Sequence, residues 1–221
     1  MVMIGQGIYS ISEAARYTGL QPNRLYAWFR DHNDKPRKLT PSFDVVKGRI
    51  ALSFLDIVEA KVWSRLREIG LSPKVIRDTY NILLKDWNLS HPFANLKIRT
   101  DGYKILVEAM TKAGEPKLLA AKTKRQHFIK PIMDPLLKNL EADENGLATI
   151  WRLSEFVVLD PRRNFGAPVI RNTRIPAYII ADSYYASGKN AKAVADDYDL
   201  SIAQVRDAVD FANQYPQRSA A

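Results

Sequence analysis

The sequence predicts a mainly α fold with small β elements, an α+β protein assembled from successive modules. Two kinds of observation predict it. Helix-capping residues stand immediately before apolar runs with a period near 3.6 in the first ninety residues and again near the end. Between them lie short apolar runs broken by Gly, Pro and Asn, the pattern of brief strands and turns. The expected order is an N-terminal winged helix-turn-helix with its closing helices (residues 1–92), a small α+β module (93–150), a segment of short β structure followed by a second helix-turn-helix (151–215), and a tail (216–221).

The first element begins at a capping box. Ser10-Ile11-Ser12-Glu13 lets the Ser10 hydroxyl accept from the backbone three residues on while Glu13 reaches back, so a helix starts at Ile11. It runs through Ala14, Ala15 and Tyr17 to Thr18-Gly19-Leu20, where Gly19 allows the turn and Leu20 plugs the angle between helices. Pro22 suits the first turn of the next helix, because its missing N–H would be unpaired there anyway. Leu25 and Trp28 or Phe29 then face inward, leaving Gln21, Asn23, Arg24 and Tyr26 at the exposed N-terminal end. Such groups reach base edges or phosphates.

From Arg16 to Arg49 the chain carries Arg16, Arg24, Arg30, Lys35, Arg37, Lys38, Lys47 and Arg49 against Asp31, Asp34 and Asp44. Eight bases against three acids leave this segment at +5, a bias suited to phosphate contact. Phe43 to Leu52 alternates loosely around Lys47-Gly48 and reads as a two-stranded wing beside the second helix. Double-stranded DNA is therefore the expected partner. Gln21, Asn23 and Arg24 would read bases, while Arg30, Lys35, Arg37, Lys38 and Arg49 would hold phosphates, and a two-fold dimer would set two such helices in successive major grooves.

Ser53 and Asp56 open a longer helix with Leu55, Val58, Val62, Trp63, Leu66 and Ile69 on its apolar face, ended by Gly70. Ser72-Pro73 opens another with Ile76, Tyr80, Leu83 and Trp87, stopped between Asn88 and Pro92. This Trp and Leu stripe fits either a core or a subunit interface. In the middle module Asp101-Gly102 is a favoured two-residue turn, flanked by Ile98 and by Tyr103, Ile105 and Val107, which predicts a hairpin. Leu118-Leu119 and Phe128-Ile129 are further strand candidates. The basic run Lys122–His127 between them reads as a solvated loop and secondary phosphate contact. A short helix spans Asp134–Leu140, and Asn145-Gly146 opens a strand over Leu147–Leu153.

In the last third, Gly166 to Pro176 joins two short apolar strands across a Pro- and Gly-punctuated path. Ala191–Tyr198 is a short helix, and Ser201 caps a longer one over Ile202–Gln214 with Val205, Ala208, Val209 and Ala212 inward. That helix is expected to expose Asp207 and Asp210 beside Arg206, and from Trp151 onward nine bases face eight acids. A balance of +1 suits oligomerisation or protein binding better than a main DNA contact.

Composition excludes several classes. With 46% apolar and 26% charged residues, the 221-residue chain can bury one large or two small cores and is not disordered. No cysteine is present, which excludes a disulfide scaffold and thiol-based metal sensing. No apolar run approaches the ~20 residues of a membrane span, and the cytoplasm is the expected compartment. His32, His91 and His127 are widely separated in polar or Pro-bearing stretches and read as surface residues, while the adjacent Asp196-Asp197 pair reads as solvated. No nucleophile or metal cluster stands out, so neither an enzyme nor a cofactor is expected.

Leu159-Asp160-Pro161, then Gly166-Ala167-Pro168-Val169-Ile170-Arg171-Asn172-Thr173-Arg174-Ile175-Pro176, then Asp199-Leu200-Ser201, resembles a widespread prokaryotic domain of unknown function with the pattern D-P, G-x-P-x-I-x-G-T-R-I-P and a short helix-turn-helix. The match covers about a third of the chain. Asn172 stands where that family usually has Gly, and Ala177 where it has Val; Asn tolerates positive φ, so the turn can survive. The Ser10–Arg30 head with its wing looks like that of the MerR-type regulators. The combination is similar to long antitoxins of the VapB class. The resemblance implies a protein that binds its own operator and holds a PIN-like ribonuclease toxin inactive. Because a PIN site is built from acids that bind a metal, Arg171, Arg174 or Arg218 would be the residues entering it; alternatively Arg171 and Arg174 pair with Asp160 or Asp182 in their own domain. A stand-alone MerR-like regulator sensing a small molecule is the competing expectation.

Overall fold

The computed structural model describes residues 5–31, 37–43, 49–100, 103–114 and 122–217. The fold is mainly α with small antiparallel sheets, as expected. Contacts divide it into two units, one of Tyr9–Thr149 and one of Met1–Ile8 with Ile150–Ala221.

The first unit opens with β1 (Tyr9–Ser10), which pairs antiparallel with β2 (Ala51–Leu52), Tyr9 opposite Leu52. Helices α1 (Ile11–Thr18) and α2 (Pro22–Phe29) follow β1 directly. The unit is organised on α3 (Phe54–Glu68), a helix buried almost all round, with Ile57, Val58, Ala60, Val62, Trp63 and Leu66 fully covered. A helix with ten buried positions needs cover on several sides, and α1, α4 (Pro73–Lys85), a 3-10 turn at Pro92–Ala94 and α7 (Lys122–Leu137) supply it. Trp63 is the centre of an aromatic chain, 5.9 Å between ring centroids from Trp28 and 6.3 Å from Phe93, with Tyr80 a further 5.2 Å from Phe93. Helices α5 (Lys97–Thr100) and α6 (Lys104–Lys112) pack on each other, α6 also on α4, and the unit ends in β3 (Leu140–Ala142).

Several sequence expectations fail here. Residues flanking Asp101-Gly102 are helical, not a hairpin, with Tyr103, Leu106, Ala109 and Met110 forming a buried stripe; residues 101–102 lie outside the described residues. Phe128-Ile129 is part of α7, as is the backbone of the Lys122–His127 run that was expected to be a loop, and α7 ends at Leu137 where a helix was read to Leu140. Leu118-Leu119 lies outside the described residues. Of the expected wing, residues 44–48 with Lys47 are likewise outside, and the described end, Ala51–Leu52, pairs with β1.

In the second unit β4 (Ala148–Arg152), which starts in the first, β5 (Val157–Leu159) and β6 (Pro168–Ile170) form an antiparallel meander, with Trp151 opposite Leu159 and Val158 opposite Val169. Helices α8 (Ala177–Ala186) and α10 (Ile202–Gln214) pack on each other and on this sheet, and α9 (Ala191–Tyr198) packs on both helices. Helix α8 was not anticipated, because Ala-Tyr-Ile-Ile after Pro176 has the composition of a strand. In α10 the inward residue near the C-terminus is Phe211, 1% exposed, and not Ala212. Asp207 is not spent on solvent either: its carboxylate accepts from Ser154 Oγ at 2.6 Å and Phe156 N at 2.8 Å, closing the β4–β5 turn. Among the described residues no helix is long and apolar enough to cross a membrane.

Candidate nucleic-acid interface

The geometry of the head follows from its sequence. Ser10 Oγ accepts from Glu13 N at 3.2 Å while Glu13 Oε2 accepts from Ser10 N at 2.8 Å, completing the capping box of α1. Gly19 ends α1 at φ 71°, the left-handed conformation that releases the chain into its turn. The turn is fixed twice over: Thr18 Oγ1 accepts from Leu20 N at 3.3 Å, and Lys61 Nζ of α3 donates to Thr18 O at 2.5 Å. Burial, and secondarily the charge of Arg65, lowers the Lys61 pKa from its ordinary value.

Helix α2 then presents one face to the core and one to solvent. Leu25, Trp28 and Phe29 are buried. Gln21, Asn23, Arg24 and Arg30 are exposed and Tyr26 is half-buried. Gln21 is the N-cap residue but makes no capping bond with its side chain, so its amide is left for other partners. The Arg30 guanidinium lies 5.2 Å from the Tyr26 ring centroid and donates to the Tyr26 hydroxyl. Lys38 N and Leu39 N both donate to Trp28 O, at 2.8 and 3.0 Å, which ties that segment to the end of α2; Lys38 Nζ sits 5.8 Å from the Trp28 ring centroid. Arg37 is exposed, its backbone N–H donating to Asp31 Oδ1 at 2.9 Å.

The structure brings Arg24 and Lys38 into one groove of about 410 Å³ beside α2, lined also by Trp28, Trp63, Arg67 and Pro73. Arg67 was missed in the sequence, although a cation in the last turn of α3 was its signal; it donates to Leu71 O. Half-buried Arg16 and exposed Arg49 are not joined to this groove. Among the described residues, Arg16, Arg24, Arg30, Arg37 and Arg49 form no ion pair. Lys35 and Lys47 lie outside the described residues, as does Arg218.

Beneath the head, α3 carries a buried polar cluster. Asp56 accepts from Ser53 N at 2.8 Å, Ser42 N at 2.9 Å and Ser42 Oγ at 2.7 Å. Glu59, one turn on, accepts from Phe93 N at 3.2 Å and the Tyr80 hydroxyl at 3.3 Å. His91 was expected at the surface but is half-buried, its Nδ1 3.5 Å from Glu59 Oε2, an ionic contact that is long for a hydrogen bond. Asp56, Glu59 and His91 bring ligand atoms within 4.8 Å of one another, yet both carboxylates are already committed to protein donors, so the arrangement is a structural clasp. Burial raises the Glu59 pKa against the pull of His91; burial also raises that of Tyr80, with Glu59 adding to it; contact with Glu59 raises that of His91 against burial.

In the second unit Asp160 is buried and gripped by Arg162 (Nε 2.9 Å, Nη2 3.0 Å) and Arg163 (Nε 3.1 Å), not by Arg171 or Arg174. Burial works to raise its pKa, but the two guanidiniums and the Arg162 N–H hold it below the ordinary carboxylate value. Arg171 and Arg174 are exposed. Asn172 adopts φ 64°, keeping the turn for which Gly is usual.

Known proteins resemble this chain, a family within its last third and others over most of its length. Residues 157–212 match the family described as "Protein of unknown function (DUF433)". The chain is 27% identical over 223 residues to the "Putative antitoxin VapB45" of Mycobacterium tuberculosis, covering 92% of each sequence. Its structure superposes on the crystal structure of Rv2018 from M. tuberculosis with a TM-score of 0.70 at 27% identity, covering 91% of this chain and 96% of the other. The likeness to that protein thus runs over nearly the whole chain.

Proposed function

We propose that this chain is the antitoxin of a type II toxin-antitoxin system, one that neutralises a PIN-like ribonuclease by direct binding and represses its own operon by binding DNA as a homodimer. The observation that carries the reading is the likeness over 92% of the chain to a protein described as an antitoxin. DNA binding is assigned to α1 and α2, read as a helix-turn-helix, because α2 offers Gln21, Asn23 and Arg24 at an exposed N-terminal end and the neighbouring guanidiniums have no described carboxylate partner. Toxin binding is assigned to the second unit, where Arg171 and Arg174 are exposed and the near-neutral charge balance suits a protein partner.

Purification from the native cells, then co-expression with any small protein encoded beside this chain that comes with it, tests the reading. The neighbour alone should arrest growth and cut RNA, and the pair should co-purify in fixed ratio with the ribonuclease silent. Absence of any such complex would sink the proposal. A second reading, a stand-alone regulator that senses a small molecule, draws on the groove lined by Trp28 and Trp63; it predicts DNA binding that changes with a ligand and needs no protein partner.

A further inference from the structure

We infer that the loop carrying Phe165, together with Ile8 and Arg174, is the surface by which this chain grips an acidic protein partner, the Phe165 ring entering an apolar pocket and Arg174 meeting a carboxylate at its rim. The inference deepens the antitoxin reading and rests on it. Its starting point is an anomaly. Phe165 is a large aromatic residue with 76% of its surface exposed, and its backbone sits at φ 55°, between Asn164 at φ 47° and Gly166 at φ 89°. Bulky side chains rarely adopt the left-handed region, and such strain collects at sites of function.

The loop is held rigidly in that shape. Arg163 N donates to Asp160 O at 2.9 Å, Gly166 N to Arg163 O at 2.8 Å and Ala167 N to Asn164 O at 3.0 Å. Ile8 N reaches across to Phe165 O at 3.0 Å, which brings a second exposed apolar side chain, 37% accessible, against the loop. From below, buried Asp160 clamps Arg162 and Arg163, and Arg163 Nη1 also donates to Thr173 O at 2.6 Å. A ring presented on so fixed a loop loses little freedom when it docks.

Charge selects the partner. Phe165, Ile8 and Arg174 line a concavity of about 270 Å³ with Gly7, Pro161 and Arg162. Arg162 and Arg163 share the single Asp160 carboxylate, whereas the Arg174 guanidinium has no hydrogen bond or ion pair among the described residues. The patch therefore sets three guanidiniums against one carboxylate beside an aromatic anchor, with Arg174 the one left unpaired among the described residues, and Arg beside an aromatic is the pairing enriched at protein hot spots. Isolated exposed apolar residues are ordinary; a strained, braced aromatic beside a second apolar residue and a free arginine is not. A nucleic-acid partner is disfavoured because residues 151–221 carry nine bases and eight acids, too little field to hold a polyanion.

Calorimetry of the full-length chain against the purified ribonuclease encoded beside it tests this. Phe165→Asn removes the ring while keeping a residue that accepts positive φ, and should weaken binding about 30-fold or more with an unchanged melting temperature. Arg174→Glu should weaken it at least as far and decides the matter if Phe165→Asn folds poorly. Tight wild-type binding unaltered in both variants would overturn the surface while leaving the antitoxin reading intact; no wild-type binding would overturn both. Loss of binding to a labelled single-stranded RNA, with ribonuclease affinity unchanged, would hand the patch to nucleic acid and refute the assignment.

Discussion

Removing a single guanidinium from the head should change how DNA binding responds to salt, by an amount the structure sets. Six described cations of the first unit, Arg16, Arg24, Arg30, Arg37, Lys38 and Arg49, are the candidate phosphate contacts. If each neutralises one phosphate, log K should fall with log salt with a slope of about −5 per protomer, so that binding weakens roughly a thousandfold between 50 and 200 mM. Arg30→Ala should make the slope shallower by about 0.9 on any duplex, whereas Arg30→Lys, which keeps the charge, should restore it. Arg24→Ala should in addition reduce discrimination between operator and unrelated DNA by about 1–3 kcal/mol if that residue reads a base. Fluorescence anisotropy with a labelled duplex over a salt series measures all of these. A wild-type slope shallower than about −2, or one indifferent to Arg30→Ala and Arg49→Ala, would refute the assignment of this face to phosphate.

Asp56→Ala should destabilise the protein by about 2–4 kcal/mol, since it strands the Ser42 and Ser53 N–H groups and removes half of the α3 capping box; the urea midpoint reports it. Asp160, with its pKa lowered in the fold, contributes stability that is complete above the unfolded value of about 3.9 and is lost as pH falls through the lower folded value. Asp160→Asn should therefore lower the melting temperature at pH 7 and flatten its fall in acid; an unchanged acid profile would mean that Arg162 and Arg163 do not stabilise the charge. Gly146→Ala should cost about 1–3 kcal/mol, because at φ 85° an added Cβ would lie 2.8 Å from both Asn95 Oδ1 and Lys97 Cγ; circular dichroism melting measures the loss.

What was legible in the sequence was what short-range chemistry fixes. Capping residues at Ser10/Glu13, Ser53/Asp56 and Ser201, and Pro22 and Pro73 in first turns, each mark a helix start within a few residues, and all five hold. The exposed end of α2 follows from the same local reading, and so do the positions of Asn23 and Arg24. The middle was misread because two periods coexist there: Tyr103, Ile105 and Val107 alternate like a strand, while Tyr103, Leu106 and Met110 form the helical stripe that burial against α4 and α5 selects. In α7, Pro131 and Pro135 argue locally against any helix, yet the chain continues through both. The Asp160 ion pairs were sought at Arg171 and Arg174, whereas a turn brings the carboxylate back to Arg162 and Arg163. Nothing in composition marks Phe165, whose exposure is a property of the folded loop.

The clasp on α3 has a consequence for how the first unit comes apart. Two carboxylates one turn apart hold Ser42, which is 14 residues before its acceptor, and Tyr80 and Phe93, which are 21 and 34 residues beyond theirs. Each tether closes a chain loop whose entropy has to be overcome before the bond can form, so the bonds are made together and lost together. Loops on either side of α3 thereby share one melting event: hydrogen exchange at Ser42 and Phe93 should slow to the same limiting rate, although about a third of the unit's sequence separates them.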